Sequence, residues 1–221
     1  MLGGLGLPLT AVRISQAAQL RAILPALIFL KDKPAKYQSA RRSGVKVDEI
    51  VLHATESGGD QTASLNYLSH ADDRQVSVHY WIGRDYGLIY SMVPENRKAN
   101  HAETHNDRAV GIEMYQLDGF KGDYTDWQYN AVSQLVYEIR WRWNIAKDMV
   151  VPHSKLTSQR GDPKNFDWSR FNQSIDMISL RALVTLGPDF AINAPSAGCS
   201  RHPRHIRRSC GRRRTSPFGR C

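Results

Sequence analysis

The sequence predicts an α/β fold: a central mixed β-sheet of about five or six strands flanked by helices, with an active-site cleft at the sheet rim. Three observations lead there. Short runs of strand-forming residues recur between segments of helical periodicity, so strands and helices are interspersed rather than segregated. One helical segment, residues 125–145, is long and regular enough to lie across one face of such a sheet. Two of the strands end on histidines followed by loops, an arrangement that carries side chains to a sheet rim.

Taken in order, DEIVLHAT (48–55) has the character of a buried strand and leads through His53 into the polar, Gly-rich ATESGGDQT. TASLNYLSHAD (62–72) reads as a helix, with Leu65 and Leu68 three apart. VSVHYWI (76–82) alternates, GRDYG turns, and LIYSMV (88–93) follows, which together predict a hairpin. AVGIEMY (109–115) is a further strand. In TDWQYNAVSQLVYEIRWRWNI (125–145), Thr125 and Gln128 have capping-box spacing. Trp127, Ala131, Leu135, Ile139 and Trp143 recur there every four residues, along one helix face. MVVPH (149–153) is a last strand and WSRFNQSIDMI (168–178) a final helix.

The 221 residues suffice for one well-cored domain with extensions, and 41% hydrophobic content is ordinary for a globular chain. The net charge of +9 is unevenly spread: residues 1–46 carry about +7, residues 188–221 another +7, and the middle about −5. The expected division is a basic, partly apolar N-terminal extension (1–46), a central domain (47–187) and an Arg-rich, disordered tail (188–221). Basic ends suit an anionic surface such as nucleic acid, membrane phosphates or the acidic polymers of a bacterial envelope, and equally a solvated arm. Cys199, Cys210 and Cys221 all fall in the tail, so the fold does not depend on disulfides. AILPALIFL (22–30) is too short to span a bilayer and fits a docking helix, a membrane-surface anchor or the core of a secretion signal.

The chemistry concentrates in VPHSKLTSQRGDPKNFDW (151–168), where His153 and Asp162 stand nine positions apart with Arg160 between them. Gly161 and Pro163 argue against helix, so Asp162 sits on a loop after a short strand. Alone, His53 reads as a structural histidine. His153 has the same placement at the end of another strand, and with Asp162 the three can surround one ion. Two imidazoles and a carboxylate suit zinc, and three protein ligands leave a fourth position open, as catalytic sites do. The core has no cysteine and the chain no HExxH helix, which excludes a structural finger and the common helical protease arrangement.

The blocks VLHAT, VSVHYWIGRDYGLIYSMV, NDRAVGIEMY and VPHSKLTSQRGDPKNFDW, in that order, resemble the zinc-dependent N-acetylmuramoyl-L-alanine amidases of type 2. This group is related to phage lysozyme-type amidases and peptidoglycan recognition proteins. The resemblance spans about residues 48–172. It implies a zinc cofactor held by His53, His153 and Asp162; the third ligand is Asp in the bacterial branch and Cys in the phage-lysozyme branch. It further implies that Glu113 is the catalytic glutamate. Arg160 falls where that branch usually carries Lys, with fixed charge for the oxyanion. Val78 stands where the phage-lysozyme branch has a catalytic Tyr, in keeping with Glu113 as the group that manages the proton. His79 matches a family histidine that is not a ligand and is expected to pack behind the ligands. His101, in ANHAET, matches a WHAG-like segment of the substrate groove from which the Trp and Gly are missing, and is expected to contact substrate. Asn106 and Asp107 match the residues before the central strand, where a turn explains them.

The implied reaction is hydrolysis of the amide joining N-acetylmuramic acid to L-alanine of the stem peptide, in peptidoglycan or its fragments. A phage endolysin or a cell-wall amidase would carry it out. Peptidoglycan or muropeptides are then the partners, the basic ends making electrostatic contact with the anionic envelope. An endolysin would reach the cell wall from inside the host; any other enzyme of this kind would be associated with the envelope. The rival reading of the same fold is a non-catalytic muropeptide-binding module, which would lack a ligand or the glutamate; here all four residues are present. Nucleic acid is not expected as a partner, because no basic patch interleaved with aromatics and no known binding motif occurs.

Overall fold

The computed structural model describes residues 30–186 apart from 57, 58 and 87. Most of the apolar stretch 22–30, the Arg-rich tail and its three cysteines lie outside the described residues. Six strands form one mixed sheet in the order β1 (Leu30–Asp32), β5 (Ile89–Ser91), β4 (Tyr80–Ile82), β7 (Ala109–Met114), β3 (Glu49–Ala54) and β8 (Val150–Pro152). All neighbours run parallel except the β4–β5 hairpin. The expected α/β architecture is the one observed.

Side chains alternate across a strand, and here the two faces have different duties. Ile50, Leu52, Ala54, Tyr80, Ile82, Ile112 and Met114 share one face and enter the main core. His53, Trp81 and Glu113 share the other. Because β3 is flanked by parallel strands and covered on both faces, all six of its residues are buried. That explains its continuous rather than alternating apolar run.

The main core is closed by α2 (Asp126–Trp143). Its first turn is fixed by a complete capping box: Gln128 N–H donates to the Thr125 hydroxyl, and Thr125 N–H donates to the Gln128 side chain. It ends on Asn144 in the left-handed conformation (φ 55°), which asparagine tolerates better than most residues. Ala131, Leu135 and Ile139 are buried, and Trp127 and Trp143 pack at the two ends. The last helix, α3 (Trp168–Leu186), lies against α2 and contributes Phe171, Ile175 and Ala182 to the core. Lying between sheet and helix, α2 also buries polar groups, two of which are tied to backbone carbonyls: Gln128 Nε2 donates to that of Tyr115 at 2.7 Å and Arg140 Nε to that of Ile145 at 3.1 Å. On the opposite face of the sheet, α1 (Gln61–His70), capped by Asp60, packs Leu65 and Leu68 against Trp81.

Several elements differ from expectation. The final helix runs to Leu186 rather than 178. The strand within VSVHYWI is confined to Tyr80–Ile82, with His79 N–H just before it donating to the Gly111 carbonyl at 3.0 Å. Strands β1, β2 (Gln38–Ala40) and β6 (Arg97–Ala99) were not anticipated; the last two pair antiparallel in a separate two-stranded sheet. Residues 30–46 contribute two short, mostly exposed strands, with Ala35 buried in a small apolar cluster. Among the described residues no helix is long and apolar enough to cross a membrane.

The cap makes a direct prediction. Thr125→Ala removes the acceptor for Gln128 N–H and should lower unfolding stability by about 1–2 kcal/mol. It should be read as a lower urea midpoint with an unchanged slope.

Candidate metal centre and active-site cleft

The site is set by strand register. In the parallel β3–β7 pair His53 lies opposite Glu113, and β4 places Trp81 opposite Glu113 on its other side. These side chains therefore stand in a row near the carboxyl ends of parallel strands, where α/β sheets place their ligands. Strand β8 pairs with the other edge of β3, Leu52 facing Pro152, so the next residue, His153, leaves the ladder beside His53. The following loop returns Asp162: Ser154 N–H donates to the Asp162 carbonyl at 3.0 Å, and Ala54 N–H lies 3.4 Å from Asp162 Oδ2. The Asp162–Pro163 peptide is cis. Gln116, just beyond β7, holds the next residues by donating from Nε2 to the Lys164 carbonyl at 2.9 Å.

Three buried groups meet there. His53 Nδ1 lies 3.1 Å from His153 Nδ1 and 3.3 Å from Asp162 Oδ2, and His153 Nδ1 lies 3.1 Å from Asp162 Oδ1. One donor atom from each residue fits within 4.8 Å of the others. Asp162 Oδ1, although close to His153, lies off any hydrogen-bond direction and has no partner of its own. Burial pushes the His53 imidazole below its ordinary pKa against the opposing pull of Asp162. Burial would raise Asp162, but its contacts with His153 and His53 overcome this and hold the carboxylate well below its usual range. A neutral imidazole and an ionised carboxylate are the forms that bind metal. An orphaned buried oxygen facing two imidazole nitrogens fits a cation, and this N,N,O set suits zinc.

The cluster lines a cleft of about 730 Å³ whose walls include Thr55, Glu56, Tyr67, Leu68, Arg74 and Val78. Glu113 also lines it, half-buried, with its carboxyl raised well above the ordinary pKa. Burial is the main cause, with the negative charges of Asp162 and Glu56 adding to it and Arg160 opposing. Arg160 reaches the same cleft and is paired with Glu56, Nη1 donating to the two carboxylate oxygens at 3.1 and 3.2 Å. This pair spans the cleft mouth and was not legible in the sequence: Glu56 sits in a polar loop with no pattern to mark it.

His79 is fully buried behind the cluster. Gly111 N–H donates to its Nδ1 at 2.9 Å, which leaves Nε2 to donate to the Arg97 carbonyl at 3.0 Å. Beside it Arg41 donates to the carbonyls of Glu95, Asn106, Asp107 and Ala109, tying the β2 segment under the site. His101 lies between His79 and His53, its Nδ1 3.0 Å from His53 Nε2. The structure thus gathers His53, His153, Asp162, Glu113, Arg160 and His101 at one cleft, with His79 packed beneath.

A mixed sheet thus delivers two histidines and an aspartate to its rim, beside a half-buried glutamate, as a donor set that could hold a metal ion. The chain belongs to the N-acetylmuramoyl-L-alanine amidase family, whose model matches residues 43–165. It is accordingly an amidase of the bond between N-acetylmuramic acid and L-alanine. No curated protein matches the chain. Among solved structures, a selenomethionine derivative of AmpD shares 23% identity over 66% of this chain and 94% of that one, with a TM-score of 0.57. The amidase LysC from Clostridium intestinale URNW shares 21% identity over 66% and 97%, with a TM-score of 0.56. The amidase AmiD from E. coli, in complex with anhydro-N-acetylmuramic acid-L-Ala-D-γ-Glu-L-Lys, shares 26% identity over 61% and 60%, with a TM-score of 0.50.

The buried His79 generates a pH prediction. Burial depresses its pKa from 6.5 to about 4, so the folded chain keeps it neutral while the unfolded chain protonates it first. The unfolded state then binds more protons, and the stability this group contributes is complete above about pH 6.5 and lost as pH falls toward 4. The loss is on the order of 3 kcal/mol. In urea titrations of metal-free protein, His79→Asn should flatten the pH dependence by that order; an unchanged dependence would contradict the assignment.

Proposed function

We propose that the amidase is zinc-dependent and acts on peptidoglycan or its soluble muropeptide fragments, with His53, His153 and Asp162 holding the ion. The observation that carries this reading is the meeting of two imidazole nitrogens and one carboxylate at the cleft, in register with Glu113. When bound, the ion supplies a Lewis acid that polarises the scissile carbonyl and acidifies the attacking water.

The remaining steps fall to the chain's own groups. Glu113, its carboxyl raised by burial and by neighbouring negative charge, takes the proton of the attacking water and passes it to the departing alanine nitrogen. The new C–O bond forms first, placing negative charge on the carbonyl oxygen, and the C–N bond breaks as the nitrogen takes the proton, leaving a muramic carboxylate and a free amine. Arg160, held at the cleft by Glu56, places fixed positive charge where negative charge develops on the carbonyl oxygen. A guanidinium does not give up its proton, so Arg160 has no acid role. Val78 and Leu68 supply an apolar wall, and Arg74 a cation for a carboxylate-bearing stem peptide. The muropeptide in the AmiD complex supports a substrate of that kind for this cleft. The basic ends, about +7 each, favour an anionic envelope as the place where substrate is met.

The test is release of new alanine amino termini from purified peptidoglycan and from soluble muropeptides. Activity should vanish with a chelator and return with zinc. Glu113→Gln should keep zinc and lose about 10²–10⁴-fold in turnover. Arg160→Ala should lose about 10²–10³-fold, with Arg160→Lys retaining most of the rate. Zinc-loaded protein that binds muropeptide and releases no amino groups would make the chain a binding module instead.

A further inference from the structure

We propose that His101 is a positioning residue for His53: its Nδ1 accepts a hydrogen bond from the proton-bearing Nε2 of that imidazole and so fixes which nitrogen faces the metal. The inference rests on the reading of His53, His153 and Asp162 as metal ligands. His53 turns Nδ1 toward His153 and Asp162, and its Nε2 lies 3.0 Å from His101 Nδ1. A metal on Nδ1 requires that nitrogen to be unprotonated, so the ring proton sits on Nε2. The group that faces this N–H is His101 Nδ1, which must accept and therefore carries its own proton on Nε2. The buried imidazole partner takes the place of the carboxylate or carbonyl that usually orients a metal-binding histidine.

The surroundings of His101 are built for this contact. Asn106 Oδ1 accepts from the backbone N–H of His101 at 2.9 Å and of Ala102 at 2.7 Å, fixing the loop that carries the ring. Gly111 on β7 lets the ring lie against the strand: a Cβ there would fall 2.6 Å from His101 Cγ and Nδ1. From the far side His79 meets the ring edge-on, with centroids 5.6 Å apart, and His79 is itself held by Gly111 and Arg97. Backbone, glycine and second imidazole thus fix one orientation of His101, and through it one tautomer of His53. Nδ1 faces His53, and Nε2 has no partner among the described residues of the cleft.

The experiment measures the zinc dissociation constant by competition with a chelator of known affinity. His101→Phe keeps a flat ring against Gly111 but removes the acceptor, and should weaken zinc binding about 10–100-fold. His101→Asn, whose amide oxygen can take the place of Nδ1, should restore most of that loss. Zinc binding by the Phe variant within about twofold of the parent overturns the proposal, as does an Asn variant that falls as far as Phe. A variant that raises KM alone would assign His101 to the substrate. A measurement on the unsubstituted chain needs no variant to fold: nitrogen-15 imidazole spectra of the zinc-loaded protein should show both His53 and His101 protonated at Nε2. Protonation of His101 at Nδ1 overturns the inference while leaving the ligand reading intact. If the unsubstituted chain binds no zinc, the ligand reading itself fails and the inference falls with it.

Discussion

The parallel register of β3 against β7 on one side and β8 on the other is the constraint on which the site depends. Strand side chains alternate with period two, so a slip of one residue would turn His53 into the helix-covered core and expose Leu52 or Ala54 in the cleft. What prevents the slip is the apolar set on the opposite face. Ile50, Leu52, Ile112 and Met114 are all fully buried beneath α2, and each would be driven to the wrong side. Burying a side chain of this size is worth about 1.5–3 kcal/mol, so the four together outweigh any local preference of the polar residues. The core face holds the catalytic face in place.

That arrangement brings ionisable groups into a poorly solvated rim, and the fold sorts them by charge state. The His53 imidazole is pushed toward its neutral form and the Asp162 carboxylate is held ionised, while Glu113 is pushed the other way by burial and by the charges of Asp162 and Glu56. Two carboxylates a short distance apart thus differ in proton affinity, and the difference matches their duties. In the proposed mechanism the one paired with histidines is the ligand, and the one raised by burial and neighbouring negative charge is the base. Behind them Arg41 and His79 form a second polar layer tied to backbone groups, with Arg41 Nη2 also 2.9 Å from His79 Nε2.

Much of this was legible in the chain. The capped helix beginning at Thr125, the buried strand ending at His53 and the loop carrying His153 and Asp162 all announce themselves through periodicity, spacing or breakers. What stayed hidden depends on tertiary pairing. LKD, QSA and RKA have no apolar alternation and become strands only because an edge or a short partner offers them hydrogen bonds. The extension of α3 beyond residue 178 follows from its packing on α2, which no local signal records. The partnership of Glu56 with Arg160 joins residues 104 positions apart. The edge-on packing of His101 between two other histidines needs Gly111, whose role is invisible until the neighbouring strand is in place.

The central claim is that His53, His153 and Asp162 bind one ion together. An anomalous-difference map collected at the zinc edge from crystals of zinc-loaded protein tests it most directly. The account predicts a single strong peak in the cleft, about 2.0–2.2 Å from His53 Nδ1, from His153 Nδ1 and from an Asp162 carboxylate oxygen, with Glu113 and His101 outside bonding distance. A peak bound through Glu113 or His101 in place of one of the three, or no peak at this cluster, would contradict it.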